Sequence, residues 1–259
     1  MSTNNKVALV TGAGRGIGKS IALRLARDGI NLVLVDLNQN QLDEVADEIR
    51  TLGSQAIAIV ADVSERSAVY AAIDKTKQAL GGFDVITNNA GIAQVQPIAE
   101  VTPEEVAKIH KINIEGVLWG IQAAAKKFIE RGQKGKILSA GSIAAHDGFA
   151  LLGVYSATKF AVRALIQAAA KEYASAGITV NAYCPGVVGT DMWVEIDRRF
   201  AEVTGAAIGE TFNKYVGGIA LGRAQTTDDV ASLVSFMASD DADYITGQSF
   251  ITDGGIVYR

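Results

Sequence analysis

The chain has 259 residues, 49% of them hydrophobic, and a formal charge of -4 from 24 Lys+Arg and 28 Asp+Glu. That is enough apolar material for one large core, and no linker, low-complexity tract or repeat divides it, so a single domain over 1–259 is expected. No strongly basic stretch marks a nucleic-acid or anionic-membrane partner, and no apolar run approaches the ~18 residues of a membrane span.

In chain order, Lys6–Thr11 is a short apolar run ending in glycines and reads as a buried strand. Gly16 to Asp28 has helical periodicity. Asn31–Asp36 is a second strand, Gln39 to Leu52 an amphipathic helix, and Ala56–Asp62 a third strand. Ser64 reads as the N-cap of a helix to Leu80. Phe83–Thr87 is a fourth strand, ending in Asn88-Asn89-Ala90-Gly91. Thr102-Pro103-Glu104-Glu105 opens a long helix to about Arg131. Lys136–Ser139 is the fifth strand, Val154 to Ala176 a long helix, and Ile178–Tyr183 the sixth strand, stopped by Pro185-Gly186. Residues 190–222 lack a clean strand and read as a helical excursion, a lid over the site. Thr227 to Ser239 is a helix and Gln248–Thr252 the last strand.

This alternation predicts an α/β fold, a doubly wound, Rossmann-type parallel sheet of about seven strands with helices on both faces. The continuous apolar strands read as buried on both sides. Ligands of such sheets lie at the carboxyl ends of the strands. Gly12, Asp36, Asp62, Asn88, Ser142 and Pro185-Gly186 all fall there.

Glycines 12, 16 and 18 follow the spacing G-x-x-x-G-x-G rather than the usual G-x-G-x-x-G. The needs are the same: a tight turn, close approach to a pyrophosphate, and a helix N-terminus offering N–H groups. Asp36 ends the next strand, where a carboxylate takes both ribose hydroxyls and repels a 2′-phosphate, arguing for NAD over NADP. Arg15 is the opposing hint, and Leu37 adds no second cation. Tyr155 and Lys159 are four residues apart, on one helix face, with Ser142 thirteen residues before the tyrosine. A nearby cation lowers a phenol pKa, so Lys159 is expected to tune Tyr155 for proton transfer. His110 and His146, the only histidines, form no ligand cluster, and no metal is called for. His110 reads as an ordinary helix residue, and His146 as a residue that could border the pocket. The single cysteine, Cys184, reads as packed rather than nucleophilic. It excludes an internal disulfide and, with no signal-peptide pattern at Met1–Lys6, suits a cytoplasmic protein.

From end to end the chain resembles the short-chain dehydrogenase/reductases. The matches are Thr11-Gly12-x-x-x-Gly16-x-Gly18, Asp62-Val63, Asn88-Asn89-Ala90-Gly91, Asn113, Ser142, Tyr155-x-x-x-Lys159, Pro185-Gly186 and Thr190. The resemblance implies a catalytic set of Asn113, Ser142, Tyr155 and Lys159. Tyr155 would be the proton donor in reduction and acceptor in oxidation. Lys159 would lower its pKa and hold the nicotinamide ribose. Ser142 would bond the substrate oxygen, and Asn113 would fix a helix distortion and a water linked to Lys159. The implied NAD(H) site comprises Gly12, Arg15, Gly16, Ile17, Gly18, Asp36, Leu37, Asp62 (to adenine), Val63, Asn89, Ala90, Gly91, Tyr155, Lys159, Pro185, Gly186, Val188, Thr190 (to the carboxamide) and Met192.

Within that family, Gly82–Ile86, Val117–Ala124, Asn181–Gly186, Met192–Asp197 and Ile219–Arg223 resemble the diacetyl/acetoin reductases, or 2,3-butanediol dehydrogenases. That group implies reversible NADH-dependent reduction of a small vicinal diketone or hydroxyketone. The implied substrate wall is Ser142, Ile143, Phe149, Tyr155, Gly186 and Trp193. It is bulky and apolar, with no arginine for a carboxylate, and so suits a small neutral substrate. Ile143 offers no hydrogen bond to a second oxygen, and the expected new carbinol is S. The rivals are a reductase of another carbonyl, such as a 3-oxoacyl group or a sugar, and a non-catalytic dinucleotide-binding regulator. Alanine-rich helices around 114–128 and 155–170 carry apolar residues on more than one face, which predicts a homo-oligomer, a tetramer as is common in such families.

Overall fold

A computed structural model describes residues 6–258. The apolar runs become seven parallel strands: β1 (Val7–Thr11), β2 (Asn31–Asp36), β3 (Ala56–Val60), β4 (Val85–Asn88), β5 (Gly135–Ala140), β6 (Ile178–Pro185) and β7 (Ser249–Thr252). Their order is β3-β2-β1-β4-β5-β6-β7. The direction of winding reverses between β1 and β4, which opens the crevice where ligands of such sheets bind.

Strand alternation divides the apolar residues between two cores. Ala8, Val10, Leu32 and Leu34 meet Ile21 and Leu25 of α1 (Gly16–Arg27), Leu42 and Ile49 of α2 (Gln39–Thr51), and Val230 and Val234 of α9 (Thr227–Ala238). Val7, Leu9, Val33 and Val35 face α3 (Arg66–Leu80), α5 (Gly116–Glu130) and α6 (Gly153–Tyr173). On that side Phe83 and Phe128 stack with ring centroids 4.8 Å apart. A β-carbon on Gly135 would stand 2.3 Å from the Phe128 ring, so that strand must start on a glycine.

Several details differ from the sequence reading. The five inner strands are buried, but the edge strands are not: Val60 is 50% exposed, and β7 is only half-buried. β3 and β7 each have one neighbouring strand, so one edge of each lies open, although Ala56 and Ala58 still pack on one core and Ile57 and Ile59 on the other. β3 also stops at Val60, short of Asp62. Ser64 is not an N-cap: its N–H donates to Asp62 Oδ1 at 2.8 Å in a turn, and α3 starts two residues later. The helix from Thr102 begins with a capping box, Thr102 with Glu105, as its sequence suggests. It is interrupted, however: α4 (Pro103–His110) passes into a π-helical turn, Lys111–Glu115, before α5.

The excursion after β6 is two helices, α7 (Asp191–Thr204) and α8 (Glu210–Gly217). Gly205 (φ +75) and Gly209 (φ +88) adopt the left-handed conformation that ends one helix and precedes the next. The buried Asp197 carboxylate accepts the Phe212 N–H at 2.9 Å and also the Gly209 N–H, tying the two helices into one unit.

Candidate active site

β1 runs into the glycine turn and α1 starts at Gly16. Gly12 (φ +64) and Gly16 (φ +55) hold backbone conformations that side chains disfavour. A β-carbon on Gly18 would stand 1.9 Å from the Gly12 carbonyl oxygen, and one on Gly12 3.0 Å from Asn89 Nδ2. On Gly16 the nearest atom would be Thr190 Cγ2 at 3.8 Å, so the outer side of the turn is open. No side chain caps the start of α1, and no acidic residue lies in its first turn. The unsatisfied N–H groups and the positive end of the helix dipole therefore suit a pyrophosphate. Ile17 turns the other way and packs on the core.

At the end of β2, Asp36 accepts the Gly14 N–H through Oδ2 at 3.0 Å and the Leu37 N–H through Oδ1 at 2.7 Å. Each oxygen keeps acceptor capacity for a ribose hydroxyl. Leu37 is 67% exposed and carries no charge to the site. Arg15 leans elsewhere: its guanidinium pairs with Asp191 Oδ2 at 3.0 Å, linking the glycine turn to the first residue of α7. Asp62 lies in the turn after β3, and Val63 packs against Gly116, where an added β-carbon would stand 3.1 Å from Val63 Cγ2.

The end of β4 is sewn to the end of β1. Thr11 Oγ1 accepts the N–H groups of Asn89 (3.0 Å) and Ala90 (3.1 Å). The Asn89 amide donates to the Gly12 carbonyl and accepts from the Tyr183 hydroxyl. Gly91 follows, between Asn113 and Lys159: a β-carbon there would stand 3.3 Å from Asn113 Oδ1 and 3.8 Å from Lys159 Nζ.

Asn113 sits in the π-helical turn and is buried. Its Oδ1 accepts the Ile92 N–H at 2.9 Å, and its Nδ2 donates to the Ile92 carbonyl at 2.9 Å and to Thr158 Oγ1 at 3.2 Å. It thus couples the loop after β4 to α6. On α6, Tyr155 and Lys159 are one turn apart, Lys159 buried and Tyr155 half-buried. The Lys159 ammonium donates to the Ala140 carbonyl at 2.8 Å and lies 5.6 Å from the Tyr155 ring centroid. Ser142, just past β5, accepts the Ala144 N–H at 3.1 Å, and its hydroxyl is near enough to the Tyr155 phenol to favour the phenolate.

The electrostatics correct one expectation. Burial holds the Tyr155 phenol above its ordinary value, and the Ser142 hydroxyl, not Lys159, is the pull in the other direction. Burial brings Lys159 down to about 8. At that separation, with the ammonium directed at Ala140, desolvation outweighs the attraction of the cation. The Cys184 thiol is pushed up to about 11 by burial, and a β-carbon on Gly141 would stand 2.5 Å from its sulfur. It is a packed thiol, as its sequence context suggests.

On the substrate side, Ile143 is buried in the turn after Ser142. Phe149 and Trp193 are half-buried and join Tyr155 in a cluster with Val95, Leu152, Ile196 and Phe200. Trp193 meets Tyr215 (5.5 Å between centroids) and Phe212 (5.8 Å) edge-on, and Phe149 approaches Tyr215 at 6.4 Å. Tyr215 and Phe212 were not singled out from the sequence. Their periodicity on a short helix looks like any amphipathic segment, and only the fold brings α8 over α7. Met192 is 39% exposed at the start of α7. The Thr190 hydroxyl donates to the Val188 carbonyl at 3.3 Å. The Gly186 N–H is held by the Thr252 carbonyl and by Gln225 Oε1, each at 3.1 Å. Pro185 ends β6 beside it.

These features define a nucleotide-binding α/β oxidoreductase, and comparison with known proteins agrees. A profile of the short chain dehydrogenase family matches residues 6–200. The chain belongs to the short-chain dehydrogenase family, whose members bind a nicotinamide dinucleotide. It is 49% identical to the L-2,3-butanediol dehydrogenase of Corynebacterium glutamicum, over 98% of this chain and all of that one. It is 50% identical, with the same coverage, to a diacetyl reductase [(S)-acetoin forming] of Staphylococcus epidermidis. Among solved structures, levodione reductase superposes with a TM-score of 0.91 at 29% identity, covering 97% of both chains. A metagenomic blue fluorescent protein in complex with NADPH gives 0.87 at 32%, covering 100% of both. No described helix is long and apolar enough to cross a membrane.

Proposed function

We propose that this protein reversibly reduces a small vicinal diketone or hydroxyketone, diacetyl to acetoin and acetoin to 2,3-butanediol, with NADH. The observation that carries the reading is the phenol of Tyr155, influenced by the Ser142 hydroxyl and set in one apolar cluster with Phe149 and Trp193. When bound, the nicotinamide supplies or removes the hydride. The chain supplies the rest. The Tyr155 phenol gives its proton to the carbonyl oxygen in reduction and recovers it in oxidation. The Ser142 hydroxyl orients the same oxygen and stabilises charge developing on it. Lys159 places a positive charge beside the phenolate left behind, and Asn113 fixes Ile92 and Thr158 around it. Asp36, held by two backbone N–H groups, favours NAD(H) over NADP(H), and the engagement of Arg15 by Asp191 supports that choice. The α7–α8 unit acts as a lid that excludes water.

The relatives' names carry S-acetoin and the L-diol, which supports S as the new configuration. The test is chiral analysis of the acetoin formed from diacetyl. S-acetoin in excess is expected, with an eroded excess in Ile143→Gln, because an amide there gives the second oxygen a partner. Absence of acetoin contradicts the reading, and an unchanged ratio in the variant removes Ile143 from stereocontrol.

Lys159 sets a pH limit. Its cation persists below about 8 and is lost above it, so kcat/KM for reduction should fall as pH rises through that value. A profile flat to well above it would show that the Lys159 charge is not needed. We further propose a cytoplasmic homotetramer. Phe160 on α6 (43% exposed) and Ile129 on α5 (52% exposed) leave apolar surface on the outer helices. Sedimentation at micromolar concentration should give a mass well above the 27.1 kDa chain, and a stable monomer would contradict this.

A further inference from the structure

We infer that Tyr183 is a positioning residue for the dinucleotide: its phenol sets the Asn89 amide, and through it the Gly12 carbonyl, so that the glycine turn keeps the shape that receives a pyrophosphate. The inference rests on the dinucleotide site described above and holds whichever ketone is reduced. Tyr183 lies in β6, between Ala140 of β5 and Phe250 of β7. Its side chain is fully buried and belongs to the core that α1 covers. An aliphatic residue would fill such a position with no polar atom to satisfy. Tyrosine brings a hydroxyl, and that hydroxyl reaches the end of β4, 94 residues back in the chain, where it donates to Asn89 Oδ1 at 3.1 Å.

The direction of each bond follows from the groups involved. A carbonyl oxygen only accepts, so Asn89 must turn its Nδ2 to Gly12, which it does at 3.2 Å. Its Oδ1 then faces Tyr183 and takes a donor there. Burial holds the Tyr183 phenol far above its ordinary range, so it stays a neutral O–H. The Gly12 carbonyl held in this way lies on the closed side of the turn: a β-carbon on Gly18 would stand 1.9 Å from its oxygen and 2.6 Å from Asn89 Nδ2. The open side is at Gly16. A carbonyl swung to that side would meet the phosphates with a partial negative charge where N–H groups are needed. The main chain of Tyr183 is anchored separately, its carbonyl accepting the Gly141 N–H at 2.8 Å, next to Ser142. One residue thus joins the proton-transfer end of the site to its phosphate end.

The test is Tyr183→Phe, which keeps the ring and removes the hydroxyl, read by titration with NADH, ADP-ribose and adenosine. NADH and ADP-ribose both carry the pyrophosphate and should lose affinity by the same factor, about three- to tenfold, the size of one hydrogen bond. Adenosine carries no phosphate and should bind as it does to wild type. An equal loss for adenosine would show a general loosening of the core, and unchanged affinity for all three would show that the hydroxyl does not shape the turn. Either result overturns the inference. In an Asn89→Ala background, Tyr183→Phe should cost NADH nothing further, because the hydroxyl acts through that amide, and a full additional loss would also overturn it. If Tyr183→Phe does not fold, Tyr183→Met is read by the same three ligands. A wild type that binds ADP-ribose but turns over no ketone counts against the functional reading and leaves this inference standing, whereas one that binds neither NADH nor ADP-ribose overturns it.

Discussion

Tyr155→Phe should lower turnover by about 10²–10⁴-fold while NADH binding survives, because it removes the proton donor and little else. The ring packs with Val95, Leu152 and Ile196, and those contacts do not involve the hydroxyl. The main-chain carbonyl of residue 155 still accepts from Thr158 Oγ1 at 2.7 Å, and Lys159 still bonds Ala140. The loss should therefore fall on kcat rather than on stability. A variant that keeps turnover within a few-fold of wild type would show that another group moves the proton. The same experiment separates an enzyme from a dinucleotide-binding regulator, since a regulator would keep its function without the phenol.

Asp36→Asn should change cofactor choice most. It keeps an acceptor for Gly14 or Leu37 but removes the negative charge that a 2′-phosphate would meet. Repulsion between like charges in a partly buried site is worth several kcal/mol, so the NADH-to-NADPH ratio of kcat/KM should fall by about a hundredfold. The Arg15–Asp191 pair sharpens the expectation. Adding Asp191→Ala releases Arg15 and should improve NADPH use further. An unchanged ratio in Asp36→Asn would mean that discrimination lies elsewhere.

Most of the fold was legible because buried parallel strands need continuous apolar runs and their helices need a 3.6-residue stripe. The runs at Lys6–Thr11 and Asn31–Asp36 left little choice. Exposure of β3 and β7 was not legible, since an edge strand reads like an inner one until its neighbours are counted. The resemblance implied a helix distortion at Asn113, but its form, a π-helical turn over Lys111–Glu115, was not legible, because nothing in Lys-Ile-Asn-Ile-Glu breaks a helix locally. The site was legible as a set of strand-end residues. Its pairings were not: Arg15 finds Asp191, 176 residues on, and Gln96 finds Leu151. The balance at Tyr155 also depends on depth of burial, which spacing does not encode. For the same reason Tyr215 and Phe212 drew no notice as sequence, although they pack on Trp193 and Phe149 once the chain is folded.

The most direct measurement is NADH oxidation with diacetyl and with racemic acetoin, run beside NADPH under the same conditions. The account predicts ready turnover of both substrates with NADH and far slower turnover with NADPH. Tight NADH binding without turnover of either substrate would contradict it, and would point to another carbonyl or to a protein that binds the dinucleotide without using it.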